Sequence, residues 1–173
     1  MNDQGQGGLR NRPSVQLVSM ALERAGCSDD RIIELAETAR TAEDAANALN
    51  CEMGAIIKSL VFRAGDQPVL ALVSGDRLCD PKALKAELGL ERKIRRADAE
   101  FVKAATGFSI GGVSPLGHPS PITTVVDQYL SRYSTLYAAA GHTHCVFSTN
   151  FEEIVQLTQG LVSESISMKP SVN

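Results

Sequence analysis

The chain has 173 residues and a formal net charge of −3, with 43% hydrophobic and 21% charged residues. These values predict one globular domain that needs neither disulfides nor a metal to fold, and they exclude a wholly disordered chain. No run approaches the ~20 apolar residues of a membrane-spanning helix, so no membrane association is predicted. The first eight residues, MNDQGQGG, lack the apolar core of a signal peptide, which favours a cytoplasmic protein.

A polar, glycine-rich stretch comes first, and residues 1–12 are predicted to form a disordered tail before a single domain over 13–173. Within that domain, a proline or a capping side chain marks where helices begin, and a glycine marks where several of them end. These signals predict helices that begin at Pro13, Thr41, Pro81 and Asp98, and a last helix over 151–157.

Apolar and β-branched runs predict the strands. Two of them, 56–62 and 68–73, flank the Gly65-Asp66 dipeptide and therefore predict a hairpin. The other strands are predicted over 32–35, 92–96, 122–126, 135–139 and 145–148, with Gly141-His142 in the turn between the last two. Because hairpins and helices are mixed along the chain, the predicted fold class is α+β, with a mixed, mostly antiparallel sheet or partial barrel surrounded by short helices.

Residues 107–121 contain four glycines and three prolines, which excludes an ordinary helix or central strand. The Gly111-Gly112 pair permits backbone conformations that other residues rarely adopt. Such a loop can point consecutive N–H groups at one spot, as in an anion nest or an oxyanion hole. Composition alone leaves a second interpretation open, namely a conformationally special connection without chemistry.

Lys58 interrupts an otherwise apolar strand. By alternation its side chain shares a face with Ile56, Leu60 and Phe62, so it needs an anionic partner or a cleft. A functional lysine in a cleft and a structural one are both compatible with this pattern. The neighbouring Ser59 is predicted to face away from Lys58 and to be structural.

Residues 81–103 carry seven basic and four acidic side chains, so this segment has a charge of +3 and the rest of the chain −6. One interpretation is a solvated surface, and the other is a local patch that binds a phosphate backbone. The candidate side chains of such a patch are Lys82, Arg92, Lys93, Arg95 and Arg96.

Other catalytic patterns are absent from the sequence. The cysteines form no CxxC pair, and His142-Thr143-His144 has no evident third ligand, so neither a metal nor a cofactor is predicted. Neither GxGxxG nor GxxxxGK[ST], the glycine motifs of nucleotide-binding loops, occurs in the sequence. Ser114 lacks the second glycine of the GxSxG elbow and is followed by a proline, which argues against a serine nucleophile.

Three segments resemble a known family. They are IKSLVF at 57–62, TGFSIGGVSPLG at 106–117 and ITTVVD at 122–127. A Thr-Gly pair before a GxxxP loop, with a lysine far upstream on a strand, is similar to the YbaK/prolyl-tRNA synthetase-associated editing domains. These are the freestanding relatives of the insertion domain of bacterial prolyl-tRNA synthetase. The resemblance spans about residues 13–167 and implies the YbaK-like fold.

The resemblance implies hydrolysis, in trans, of the ester of a mischarged aminoacyl-tRNA, without a metal and with help from a hydroxyl of the terminal adenosine. It implies that Lys58 meets the tRNA 3′ end and that the GxxxP loop holds the ester carbonyl through backbone N–H groups. The implied catalytic set is Lys58, Gly111, Gly112, Val113, Ser114 and Pro115. The implied substrate-pocket residues are His118, His142 and Asp127.

The resemblance implies tRNA-Pro carrying a small amino acid such as Ala, Ser, Cys or 2-aminobutyrate as the substrate. Members of the family differ in the amino acid that they prefer. An aminoacyl-tRNA synthetase is a further candidate partner. Two alternatives remain: a non-catalytic module of the same fold that binds tRNA or a synthetase, and a small-ester hydrolase unrelated to RNA. Lys58 and the intact loop favour the enzyme, because a module that only binds has no need of that loop geometry.

Overall fold

A computed structural model describes residues 8–171 of the chain. Of the predicted tail, residues 1–7 lie outside the described residues. Leu9–Asn11 form a 3-10 helix instead of the predicted disorder. Leu9 packs against the main core, and the Arg10 guanidinium donates to the carbonyl of Ile32. These two contacts hold this part of the segment on the domain.

Five α-helices lie in the described part of the chain, and three of them begin at a predicted capping side chain. Thr41 and Asp44 form a reciprocal capping box, while Asp80 and Asp98 each accept from a backbone N–H in the first turn of their helices. Gly107 ends the fourth helix with a φ of 81°, which favours glycine. The helices are α1 (Pro13–Arg24), α2 (Ala42–Leu49), α3 (Pro81–Glu87), α4 (Ala99–Thr106) and α5 (Phe151–Thr158).

Ten strands of the described residues form two sheets, and the predicted α+β class with a mixed, mostly antiparallel sheet is confirmed. The large sheet has the order β1-β8-β7-β2-β3-β6-β9, with β5 also on β2, and β10 pairs with β4. Five of the eight pairings are antiparallel. The strands are β1 (Ile32–Glu34), β2 (Ile56–Ala64), β3 (Gln67–Ser74), β4 (Leu78–Cys79), β5 (Ile94–Arg96), β6 (Thr123–Asp127), β7 (Leu136–His142), β8 (Cys145–Thr149), β9 (Leu161–Ser163) and β10 (Ser167–Met168).

The turn between β7 and β8 differs from its prediction. Strand β7 continues to His142, so the turn falls on Thr143 and His144 and not on Gly141-His142. An irregularity between Ala139 and His142 breaks the register with β8. Gly141 lies within this irregularity and has a φ of 89°. It is so close to α1 that an added Cβ would be 2.4 Å from the carbonyl oxygen of Ser14. Gly141-His142 therefore corresponds to a bend in β7 and not to the turn between β7 and β8.

The large sheet packs on both faces, and strand β2 changes partner along its length. One face carries the main core with α1, α4 and α5, and the other packs against α3 and the C-terminal segment. On the side away from β3, β2 pairs with β7 at Ile56 and Ile57 and with β5 from Phe62 onward. Residues 58–61 lie between these two pairings, and this break in the sheet creates the space for a cavity.

Candidate active site

A cavity of about 370 Å³ lies at the break beside β2. Residues from both faces of the sheet line it, because the break connects the two faces. The lining is largely aliphatic, with a few charged and polar side chains among the alkyl groups. Of the residues singled out in the sequence, the cavity brings together Lys58, Arg96, Gly111, Val113 and His142.

Lys58 contributes a half-buried cation to this cavity. Its register opposite Val73 on β3 confirms the predicted face, which it shares with Leu60 and Phe62. The ammonium donates to the carbonyl of Arg77. Burial lowers the pKa of Lys58 below that of an ordinary lysine, with the nearby Cys79 acting in the opposite direction. A lysine held with one carbonyl acceptor keeps donor capacity for an anionic ligand.

The glycine pair lets the loop approach the end of β7. Gly111 has a φ of 94°, which favours glycine, and an added Cβ there would be 3.2 Å from the Thr143 methyl group. Gly112 has no such φ, but its added Cβ would be 3.0 Å from the backbone nitrogen of His142. Gly111 is therefore needed for its conformation and Gly112 for the close approach of two backbones.

The loop N–H groups differ in their availability. The Gly112 N–H donates to the Ser109 carbonyl at 3.0 Å, so it is committed within the loop. This corrects its predicted role as a donor to a ligand. Within residues 8–171, no acceptor faces the N–H groups of Gly111 and Val113 with hydrogen-bond geometry. Both residues line the cavity, which makes them the candidate donors.

Ser114, Pro115 and His118 lie on the other side of the loop. Ser114 is fully buried, and its hydroxyl accepts from the Leu116 N–H at 3.3 Å. Pro115 and His118 line a second, more open cavity. The structure therefore does not bring Ser114 or His118 together with the Lys58 cavity, because the loop itself separates them. A buried serine hydroxyl engaged with its own loop also lacks access to a substrate.

Asp127 is fully buried at the end of β6. Its carboxylate accepts from the N–H groups of Ser74 at 3.1 Å and Tyr129 at 3.0 Å. It joins the ends of β3 and β6 and caps the 3-10 helix Gln128–Arg132. The structure gives Asp127 this architectural place and does not put it in the lining of the Lys58 cavity.

His142 presents a ring whose tautomer is set by the turn. Its Nδ1 accepts from the His144 N–H at 3.1 Å, so the neutral ring carries its hydrogen on Nε2. Burial lowers the pKa of His142, and the neighbouring His144 and Arg12 lower it further. At neutral pH the ring is therefore an uncharged N–H donor in the cavity wall.

Ser59 is a cavity residue that sequence reasoning missed. It faces away from Lys58, as predicted, but it lines the cavity because the break in the sheet opens onto that face as well. Its hydroxyl is buried and has no hydrogen-bond partner within residues 8–171. The only sequence signal was a polar residue on the core face of a strand, which alone does not reveal a cavity.

The five basic residues of the predicted patch are all exposed, and none forms an ion pair with the described residues. Lys82 lies in α3, Arg92 and Lys93 precede β5, and Arg95 and Arg96 lie on opposite faces of β5. The Arg96 guanidinium lies over the Phe62 ring at 5.4 Å and reaches the cavity. Arg95 is opposite Arg63, whose guanidinium lies over Phe101 on the other face. Arg96 is thus the member that links the basic surface to the cavity.

The described residues contain neither a membrane-spanning helix nor a cluster of metal ligands. No helix among them has the length and apolar character to cross a membrane. No three His, Cys, Asp or Glu side chains in that part of the chain are grouped as metal ligands. The site is thus defined by backbone donors, one histidine and two cations around an apolar cavity.

This fold and site define a class of compact α+β domains with a glycine loop opposite a strand lysine. Residues 36–157 match the aminoacyl-tRNA editing domain family, and the chain belongs to this family. A Bacillus subtilis protein of uncharacterised function, YwhH, is 29% identical over 131 residues, which cover 75% of this chain and 82% of that protein. An Enterococcus faecalis protein, EbsC, provisionally named a Cys-tRNA(Pro)/Cys-tRNA(Cys) deacylase, is 30% identical over 72% of this chain and 76% of its own length.

A solved structure supports the same assignment. A protein described, provisionally, as a trans-editing enzyme for prolyl-tRNA synthetase is 35% identical, with a TM-score of 0.82, over 90% of this chain and 98% of that one. The proline–tRNA ligase of Thermoanaerobacter sp. (strain X514) is 31% identical over 105 residues, which are 60% of this chain but only 18% of the ligase. The similarity to the ligase is therefore confined to a small part of that enzyme.

Proposed function

We propose that the chain hydrolyses the ester bond of a mischarged aminoacyl-tRNA in trans, as expected of a cytoplasmic editing enzyme. The observation that supports this most is the cavity lined by Lys58, His142 and the free loop donors of Gly111 and Val113. The similar proteins named as a tRNA deacylase and a trans-editing enzyme support the same reaction.

The reaction places charge where the cavity has donors. Water attacks the ester carbonyl carbon, and the carbonyl oxygen becomes an oxyanion. The bond between that carbon and the ribose oxygen then breaks, and the ribose oxygen takes up a proton from the attacking water and leaves as the tRNA hydroxyl. The N–H groups of Gly111 and Val113 would hold the oxyanion, since fixed donors stabilise charge best where it develops. The neutral His142 Nε2–H supplies a further donor beside them.

The nucleic-acid end of the substrate would meet the cations. Lys58 and Arg96 line the cavity, and the exposed Arg92, Lys93 and Lys82 extend the positive surface away from it. Cations at such positions bind phosphodiesters and make affinity depend on salt. This arrangement favours tRNA over an uncharged small ester as the substrate.

The amino-acid end would be small. A cavity of about 370 Å³ is near the lower end of ligand sites and must also hold the terminal ribose. Its walls include Ile57, Val61 and Val113, so short apolar or weakly polar side chains fit the lining best. We therefore propose tRNA-Pro carrying Ala, Ser, Cys or 2-aminobutyrate as the substrate, with prolyl-tRNA synthetase as a candidate partner.

A deacylation panel tests the proposal. The purified protein is mixed with tRNA-Pro and other tRNAs that carry Ala, Ser, Cys, 2-aminobutyrate or Pro, and ester hydrolysis is followed with time. Faster hydrolysis of at least one small ester than of Pro-tRNA-Pro is expected, and Lys58→Met should slow that hydrolysis. Tight tRNA binding without turnover of any ester would instead identify a non-catalytic module.

A further inference from the structure

His118 holds the glycine loop from the side opposite the Lys58 cavity. Its Nε2 lies 2.7 Å from the carbonyl oxygen of Ser114. A carbonyl can only accept, so Nε2 must carry the hydrogen and donate it. Burial lowers the pKa of His118, which keeps the ring neutral at pH 7 with Nδ1 unprotonated.

The ring is itself fixed by the segment that begins the loop. His118 packs edge-on against Phe108, with ring centroids 6.1 Å apart and an interplanar angle of 73°. Phe108 is fully buried. The Thr106 hydroxyl accepts from the Phe108 N–H at 3.0 Å and lies 3.3 Å from the Phe108 carbonyl. The beginning and the end of the loop are thus tied together through His118.

The chain that follows Val113 is held at several points. The Ser114 carbonyl accepts from His118, the Ser114 hydroxyl accepts from the Leu116 N–H, and the ring of Pro115 fixes its φ. Val113 directly precedes this fixed turn and lines the cavity. A shift of the Ser114 peptide group would therefore turn the Val113 N–H away from its direction.

We propose that His118 is a positioning residue, which fixes the Val113 and Ser114 peptide groups for catalysis by donating to the Ser114 carbonyl, without touching the substrate. The inference rests on the proposed function, since it takes the loop as the element that holds the ester oxyanion. Misplacing a catalytic group by about 1 Å can cost roughly 100-fold in rate.

Two substitutions at His118 separate positioning from stability. His118→Leu removes the donor, and His118→Gln keeps an N–H close to the place of Nε2. Single-turnover deacylation should fall by roughly 10- to 100-fold in His118→Leu and recover largely in His118→Gln, with the dissociation constant for uncharged tRNA unchanged in both. Ile166→Val is the control, since Ile166 is fully buried in the second core cluster, which contains no residue of the loop.

Amide hydrogen exchange gives a second readout that does not depend on turnover. Exchange at residues 111–116 should be faster in His118→Leu than in His118→Gln or Ile166→Val. An active wild-type protein whose His118→Leu variant keeps its rate, or a His118→Gln variant as impaired as His118→Leu, would overturn the positioning role alone. A wild-type protein that deacylates no ester would overturn the proposed function, whatever the exchange data show.

Discussion

Gly112 lies directly against the backbone of His142, and a Cβ on Gly112 would be 3.0 Å from the His142 nitrogen and 3.1 Å from its Cα. Backbone atoms cannot rotate away as a side-chain end can. Since Gly141 is itself wedged against α1, the end of β7 has little freedom to retreat. This contact joins the loop donors to the histidine of the same cavity.

Gly112→Ala should therefore lower the rate by displacing the loop from His142. The expected decrease is roughly 10- to 100-fold in single-turnover deacylation, because a small misplacement of fixed donors has a large effect on rate. Alanine keeps the backbone N–H that donates to Ser109, so the substitution removes no donor and acts through the added Cβ alone. Gly26→Ala is the control for a loss of stability alone, since nothing lies near its added Cβ and alanine strains only the φ of 77° at the end of α1. A Gly112→Ala variant that changed only tRNA affinity would identify the loop as a tRNA clamp.

Lys58→Met should lower activity without weakening the fold. Its methionine keeps the apolar stem and removes the ammonium, whose hydrogen bonds to a charged ligand are worth about 1.5–3 kcal/mol, or roughly 10- to 100-fold. Burial lowers the pKa of Lys58, so the charged form is disfavoured in the folded state and its removal should not reduce the melting temperature. Lys169→Met is the exposed control. Full deacylase activity in Lys58→Met would remove this lysine from the site.

The direction of that pKa shift also predicts a pH effect. A lysine with a lowered pKa loses its charge at a lower pH than the ordinary 10.5. The dissociation constant for tRNA should therefore rise more steeply in the wild type than in Lys58→Met as pH increases toward 10.5. Parallel alkaline profiles for both proteins would contradict a phosphate contact by this side chain.

The sequence predicted the local features well, because they depend on near neighbours. Thr41, Asp98 and Gly107 each act within a few residues, and their predicted roles at helix ends are confirmed. Alternation also placed Lys58 on the correct face of β2. The strands β4, β9 and β10 were missed, since two or three residues carry too little pattern and depend on tertiary pairing.

The arrangement of the site could not be predicted from local patterns, because it depends on contacts between residues that are far apart in the sequence. Ser59 lines the cavity only because one edge of β2 pairs with β7 at its beginning and with β5 at its end. No local sequence pattern predicts this change of partner. The commitment of the Gly112 N–H to Ser109 depends on how the loop turns, which composition leaves open. His118 was expected in the substrate pocket, but the loop separates it from the Lys58 cavity. A resemblance between motifs identifies a set of residues, whereas their roles require the contacts.

The basic patch predicts a salt effect that is largest at Arg96. Replacing Arg92, Lys93, Arg95 and Arg96 one at a time with Gln should lower the slope of log K for tRNA against log salt by roughly 0.7–0.9 for each phosphate interaction that the substitution removes. Arg96 reaches the cavity, whereas Arg95 lies on the other face of β5. Arg96→Gln should therefore reduce both the slope and deacylation, while Arg24→Gln in α1 serves as the exposed control. Unchanged slopes in all four variants would identify an ordinary solvated surface.

Acid should destabilise the fold through its histidines. The pKa values of His118 and His142 are both lowered from 6.5, chiefly by burial, so the unfolded chain binds protons before the folded one does. The free energy of unfolding should therefore decrease as pH falls below about 6.5, and a His118→Gln/His142→Gln double variant should show a shallower decrease between about pH 7 and 5. Urea unfolding at several pH values measures this. Equal slopes in the two proteins would contradict the pKa shifts.

Ser114→Ala decides between an oxyanion loop and a covalent serine mechanism. The Ser114 hydroxyl is buried and accepts from the Leu116 N–H, so its removal should cost about 1 kcal/mol of stability through the unsatisfied donor. Removing a serine nucleophile would instead reduce the rate by roughly 10⁴-fold or more. We expect a lower melting temperature and single-turnover deacylation within about threefold of the wild type, since the free N–H groups of Gly111 and Val113 remain in place. Ser120→Ala, at an exposed position after the GxxxP segment 111–115, controls for the removal of a hydroxyl as such. If Ser114→Ala bound tRNA normally but hydrolysed no ester, the buried hydroxyl would have to reach the substrate by a rearrangement of the loop, and backbone donors would no longer suffice as the catalytic element.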